Sequence, residues 1–585
     1  MTVIDTAQRG PAASSPLARA LRASRTSLAA VGLFTGVINV LMLTGSLFML
    51  QVYDRVLPSR SVPTLIALIA VVAGLYAVQG GLDMIRGRML VRLGRSLDEQ
   101  LNLIAYEGVV RQPLKGPRRG DGLQAIRDLD QIRSFLSGTG PAALFDLPWM
   151  PLYLGICFAF HVYIGLAALA GALLLVALTL VTELLTRNPA RASSGFGASR
   201  LSLAEASRRN AEVLKAMGMT RRLGARWQAS NDRYMDAQQR TADIAGGLGA
   251  ATRVLRMLLQ SCVLGVGAYL VINQEATAGI IIASSILTSR ALAPVELAIA
   301  NWKSFQSARQ SWRRLSEVTA GGSDEAPMAL PVPVDGLAVE ALTVCPPGSP
   351  RPAVLDVSFQ LKAGQGLGII GSSAAGKTSL ARALVGVWSP VRGKVRIDGA
   401  AIEQWAPDAL GAHIGYLPQD VELFDGTVAE NIARFEPGYE PGRVVAAARS
   451  AGVHDLILRL PEGYETRIGE QGGALSAGQR QRIALARALY GEPFLVVLDE
   501  PNSNLDREGE QALAQAILEV RNRKGIVVVI AHRPAALHNL DLVLAMAGGR
   551  LQAFGPRDEV LGDVLQPHRL VPRRMRQVAG AKGAA

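Results

Sequence analysis

GLGIIGSSAAGKTSLARALVGVW, residues 366–388, runs from an apolar stretch through a turn of small residues into an amphipathic helix pattern. The run before the turn suits a buried strand, and the spacing after it suits a helix. Gly371 and Gly376 bracket Ser372, Ser373, Ala374 and Ala375, so backbone N–H groups can close around phosphates. Lys377 then reaches the β- and γ-phosphates, and the hydroxyl of Thr378, followed by Ser379, suits a Mg²⁺ ligand. Strand, glycine-rich loop and helix in that order make this part of the chain an α/β nucleotide-binding domain.

Further along, FLVVLDE (494–500) is a second apolar strand, and it ends in two carboxylates. Asp499 is placed to hold Mg²⁺ through water, and Glu500 to polarise an attacking water. VVVIAHRP (527–534) is a third strand, which leaves His532 at its end, where side chains of an α/β sheet point into the ligand crevice. GALSAGQRQRIALARAL (473–489) is a helix start, with Ser476 as N-cap and Gln479 three residues on completing a capping box. Gly478 leaves that turn open to close approach, so the helix N-terminus is a second anion site, about a hundred residues from the first.

The first half of the chain is of another kind. Thr26–Tyr53 carries no charge, and about 20 residues cross a bilayer core. That apolar run exceeds the roughly 7–15 residues of a signal-peptide core and lacks a cleavage site, so it stays attached. Apolar runs predict six spans, at 28–52, 62–82, 144–160, 162–182, 244–272 and 277–298. Within 144–182 only Asp146 and His161 are ionisable, and a tight turn is expected at His161. Two long Arg-rich stretches, between spans two and three and between four and five, show helical spacing. By the positive-inside rule they lie in the cytoplasm with both termini.

That topology accounts for much of the net charge of +13, so a nucleic-acid partner is not needed. Arg253, Arg256 and Glu296 are expected near cytoplasmic ends, and Arg290, which lies deeper, toward a polar cavity, with Pro294 bending its helix. Cys157, Cys262 and Cys345 follow no metal-ligand spacing and are expected as buried, reduced thiols. The expected fold is therefore an all-α six-helix transmembrane domain with long cytoplasmic helices, fused to an α/β P-loop domain. Its segments are 1–24, a cytoplasmic start; 25–318, the membrane domain; 319–334, a Gly- and Pro-rich linker; 335–570, the nucleotide domain; and 571–585, a basic tail.

The order of these motifs resembles the ABC transporter family over nearly the whole chain. GSSAAGKT is similar to its Walker A, LVVLDE to its Walker B with a catalytic Glu500, and LSAGQ to its signature LSGGQ, with Ala477 where Gly is usual. Gln419 in YLPQD looks like the Q-loop glutamine, a further Mg²⁺ ligand; SNLD, ending in Asp506, looks like the D-loop; and His532 looks like the switch histidine. The resemblance implies ATP and Mg²⁺ as cofactors. It also implies a homodimer in which the Walker A of one chain is covered by the signature loop of the other.

One departure is LTVCPPGSPRPAVL (342–355), where Val344 and Cys345 stand in place of the family's base-stacking aromatic, so looser base selectivity is expected. Within the family, QVYDRVLPSRSVPTLIAL, FDLPWMPLYL and RALAPVELAIANWKSFQSARQSWRRL look like the permease-ATPases of type I secretion. That group implies an inner-membrane exporter of unfolded polypeptide with a C-terminal signal, working with a periplasmic membrane-fusion adaptor and an outer-membrane channel protein. Only about 25 residues precede the first span, too few for the peptidase-like domain some members carry, so no leader proteolysis is expected. In FDLPW, Pro148 is expected in a first helical turn and Trp149 at the membrane interface. The alternative cargo is a lipid, glycan or small peptide. A DNA-repair-type ATPase head is disfavoured by the six spans and by the absence of sustained heptads between Walker A and signature.

Overall fold

Each apolar run read as a span is helical in the computed structural model, which describes residues 16–116, 122–319, 330–531 and 537–565. Among these, six helical segments are long and apolar enough to cross a bilayer: Arg25–Ser59, Val62–Leu114, Gly140–Phe160, Val162–Arg209, Thr220–Ile272 and Ala278–Glu317. Several far outrun the membrane. Val62–Lys115 has 54 residues, about 80 Å at 1.5 Å per residue, against a hydrocarbon core of about 30 Å. Much of each Arg-rich stretch is thus an extension of a span, and Gln124–Ser137 and Ala211–Ala216 are separate helices beside them. The fourth and fifth spans pack along one another, and their polar ends are tied by Ser193 to Gln238 at 3.1 Å and Arg200 to Asn231 at 2.9 Å. The Arg200 guanidinium also lies over the Tyr234 ring.

Polar residues within this unit find partners that periodicity cannot show. Asp146, at the end of helix Gly140–Asp146, is buried. It accepts from Asn39 Nδ2 at 2.8 Å and from Arg86 Nη1 at 3.2 Å; Tyr153 Oη donates to the Asn39 carbonyl. One carboxylate thereby joins the first three spans. Asp54, in the π-helical turn Val52–Val56, accepts from the Gly279 N–H at 2.8 Å and the Thr277 hydroxyl at 2.7 Å, so it caps the last span. His161 forms the expected turn and accepts from the Tyr163 N–H.

Other residues of this unit meet partners the spacing did not name, and one expectation, that of three buried thiols, needs correction. Arg256 and Glu296 pair across the last two spans at 3.1 Å, because a charge beside apolar surface is held better by a partner than by reach. Trp149 follows Pro148 in a short 3₁₀ turn, Leu147–Trp149, and its ring packs on Gly36. A Cβ there would lie 2.8 Å from the indole, so the bare glycine admits the ring into a helix contact. Cys157 is buried, Cys345 half-buried and Cys262 exposed; a thiol is apolar enough to sit on a membrane helix surface. Arg290 is exposed on the last span, and Pro294 lies inside one continuous helix, Ala278–Thr319.

The second unit is α/β. β1 (Gly336–Val344), β2 (Val354–Lys362), β4 (Arg392–Ile397) and β5 (Ala400–Ala401) make an antiparallel sheet in the order β2-β1-β4-β5. β3 (Gly366–Gly371), β6 (Ile414–Leu417), β7 (Leu495–Asp499), β8 (Ile526–Ile530), β9 (Leu542–Ala547) and β10 (Arg550–Pro556) form the larger sheet, in the order β10-β9-β3-β8-β7-β6. β6, β7, β8, β3 and β9 run parallel. β7 and β8 are buried at every residue, as unbroken Leu/Val/Ile runs require when both faces are covered.

Candidate nucleotide site

Register brings the motif ends together. Ile369 of β3 pairs with Ile530 of β8, Asp499 of β7 also pairs with Ile530, and Leu417 of β6 pairs with Leu498. The phosphate loop, Asp499, Glu500 and Gln419 therefore all follow the carboxyl ends of adjacent parallel strands, where such sheets hold ligands. Gln419 is exposed there, two residues past β6. His532 lies outside the described residues; the strand it follows, β8, ends at this same edge.

The loop itself is shaped by backbone that side chains would block. Gly371 has φ 154° and Gly376 φ 96°. A Cβ on either would stand 2.3 Å from the Met546 carbonyl oxygen or 2.2 Å from that of Ala353. Ala374 adopts φ 64° despite its Cβ, a strain of about 1–2 kcal/mol. Ser372, Ser373 and Ala374 are exposed, Ala375 is buried, and Thr378 and Ser379 are half-buried at the start of helix Lys377–Leu384. Lys377 is buried, and its Nζ donates to the carbonyls of Gly371 at 2.9 Å and Ser372 at 3.0 Å. Burial pushes its pKa down, while Glu500 and Asp499 pull it back up. The ammonium is held at the loop mouth by weak neutral acceptors, which an anionic oxygen can displace.

Asp499 is a carboxylate held almost entirely away from water. It is 1% accessible, and neither carboxylate oxygen has a hydrogen-bond partner. Burial raises its pKa, Glu500 raises it further, and the neighbouring Thr378 hydroxyl, Arg382 and Lys377 counter part of that. A buried carboxylate beside the Thr378 hydroxyl suits a hard divalent cation or its water. Glu500 takes a left-handed backbone, φ 50°, and its N–H donates to the Ile530 carbonyl at 3.0 Å. Arg382, which also lies over the Trp388 ring, is a neighbour of the site that the motifs did not mark.

The second anion site forms as a capping box. The Ser476 N–H donates to Gln479 Oε1 at 2.8 Å, and the Gln479 N–H to Ser476 Oγ at 3.3 Å. Ser476 is exposed at the N-terminus of helix Ala477–Leu489, and among the described residues no hydrogen bond joins 476–479 to the phosphate loop. A Cβ on Gly478 would lie 2.9 Å from the Asn504 carbonyl oxygen, so the helix start packs on the loop after Glu500. Asp506 caps the next helix by accepting from the Gly509 N–H at 2.8 Å, and it accepts two bonds from Arg482. Its carboxylate is thus engaged within its own chain. Its pKa is lowered first by that backbone bond and then by Arg482. Val344, the last residue of β1, is wholly buried in the core and is not offered to a base; Cys345 is half-buried.

Residues 354–503 match the family model described as ABC transporter, and residues 28–294 match the ABC transporter transmembrane region. The chain is 58% identical, over 94% of its length and 95% of the relative's, to the type I secretion system ATP-binding protein PrsD of Rhizobium meliloti. It is 29% identical, over 93% of its length and 77% of the relative's, to the cyclolysin secretion/processing ATP-binding protein CyaB of Bordetella pertussis. Among solved structures, a bacterial Atm1-family ABC exporter with ATP bound shares the fold, with a TM-score of 0.79 over 94% of this chain and 99% of that one, at 23% identity.

Proposed function

The chain belongs to the ABC transporter family, among its type I secretion ATP-binding proteins, and from that premise we propose that it exports an unfolded polypeptide bearing a C-terminal signal. It is a multi-pass inner-membrane protein whose ATPase domain is cytoplasmic, and ATP hydrolysis drives the export. Identity of 58% across 94% of the chain, membrane unit included, is the observation that carries protein cargo over lipid, glycan or small peptide. In this reading it works as a homodimer with a periplasmic adaptor and an outer-membrane channel protein.

Within each site, the N–H groups of 371–378 and the Lys377 ammonium bind and orient the phosphates. Mg²⁺, when bound, neutralises charge on the transferring phosphoryl group; Thr378, Gln419 and Asp499 are the residues that would hold it. Glu500 orients the attacking water from the end of β7, and His532 senses the γ-phosphate. Ser476, Gly478 and Gln479 reach the nucleotide held by the partner chain, and Asp506 stabilises the loop between.

Purified dimers in lipid vesicles supply the test. A C-terminal fragment of a secreted protein encoded beside this chain should stimulate ATP turnover severalfold, with no such effect in Glu500→Gln. Stimulation by an added lipid or glycan and none by the fragment would overturn the polypeptide reading.

A further inference from the structure

Glu500 is the residue on which hydrolysis turns, and its backbone sits where a residue with a Cβ is strained, at φ 50°. Such a conformation persists only when its surroundings enforce it. One enforcing bond is the Glu500 N–H to Ile530, from β8. A second is the Ser503 N–H, which donates to the Glu500 carbonyl at 3.3 Å, and further contacts come from a side chain outside the motifs already assigned. Gln481 is buried, 4% accessible, on the helix that begins at Ser476. Its Nε2 donates to the Pro501 carbonyl and approaches the Glu500 carbonyl and the Ser503 hydroxyl, each at 3.4 Å. Its Oε1 accepts from the Asn504 N–H at 3.1 Å. A single amide therefore spans residues 500–504 and uses both its donor and its acceptor on them.

We propose that Gln481 is a positioning residue for Glu500, holding its strained backbone so that the carboxylate meets the water. The placement also makes the helix a rigid link. Its N-terminus, at Ser476, is the anion site assigned to the partner's nucleotide, and five residues on it grips the loop that carries this chain's own catalytic acid. Arg482, next in sequence, fastens the far end of that loop through Asp506. Capture of nucleotide at one site is thereby felt at the acid of the other. The proposal rests on the reading of Glu500 as the residue that orients water.

Gln481→Met keeps the volume and removes every hydrogen bond; Gln481→Glu keeps the acceptor and loses the amide donor. ATP turnover, ATP affinity and thermal melting are to be measured for each, alone and combined with Glu500→Gln. Both single variants should lose about 10- to 100-fold in kcat, the scale of a misplaced catalytic group, with KM changed less than about twofold. In the Glu500→Gln background the same changes should add almost nothing, since Gln481 acts through the acid already removed. Wild-type kcat in both variants, an equal further loss in the Glu500→Gln background, or unfolding of both would overturn the proposal. Should Glu500→Gln itself turn over normally, it is the catalytic reading that fails, which sets the two failures apart.

Discussion

Asp499 is buried with both carboxylate oxygens unpartnered, and its raised pKa shows that the fold alone disfavours its charge. The sign follows from linkage. With the folded pKa above the unfolded one, the folded state binds more protons in the window between them, so stability falls as pH rises through that window. At neutral pH the charged group costs stability, on the order of 1–3 kcal/mol for an unpaired buried polar group. Asp499→Asn should therefore raise the melting temperature of nucleotide-free protein near pH 7, with the gain shrinking toward pH 4, while abolishing Mg²⁺-dependent turnover. A lower melting temperature at pH 7 would mean the carboxylate is already satisfied. Base recognition is also a residue matter. Val344 is sealed in the core and Cys345 offers no ring, and a lost stacking contact is worth about 0.5–1.5 kcal/mol. GTP should support turnover within about tenfold of ATP; strict ATP use would reveal another adenine contact.

At the scale of elements, helices in the membrane unit are joined by polar knots as well as by apolar packing. Arg86 and Asp146 are both about nine-tenths buried at the side chain, and Asn39 shares the same carboxylate oxygen. Removing one partner of a buried pair costs about 3–5 kcal/mol because a charge is left behind. Arg86→Met should sharply reduce the yield of folded, detergent-stable protein. Asp146→Asn added to it should recover part of the loss, since Asn39 then faces a neutral amide. Equal yields for wild type and Arg86→Met, read by size-exclusion chromatography, would show the pair to be dispensable. The capping box at Ser476 is the same economy in the other unit: two helix-end N–H groups are satisfied without tertiary help, which leaves the rest of that N-terminus open to a ligand.

For the whole molecule, one chain carries one phosphate loop and one signature helix, and the box at Ser476 makes no bond to its own chain's phosphate loop among the described residues. A shared site is tested with a purified mixed dimer of one wild-type chain and one bearing both Lys377→Ala and Ser476→Arg. If sites are shared, each has lost one essential half and neither should trap nucleotide. Trapping at about half the normal amount would mean that each chain serves itself, because the wild-type chain would then keep a full site.

The sequence determined the two classes of structure, because period and composition report directly on solvent. A chargeless run of 28 residues, Thr26–Tyr53, belongs in lipid, and apolar runs ending in a glycine loop or paired acids are buried parallel strands. The motifs Gly371–Thr378, Asp499–Glu500 and Ser476–Gln479 were legible because anion binding and capping are local backbone chemistry. Tertiary structure alone decided who meets whom. Asp146 with Arg86 and Asn39, Asp54 with Gly279, Arg256 with Glu296, and Gln481 with the loop after Glu500 are pairs 19 to 225 residues apart that only packing brings together. In the membrane unit their sequence signal is a polar letter or two inside an apolar pattern, and Gln481 is one polar letter among several. A polar group's free energy depends on whether a partner arrives when water leaves, and that is a property of the folded arrangement rather than of the letter.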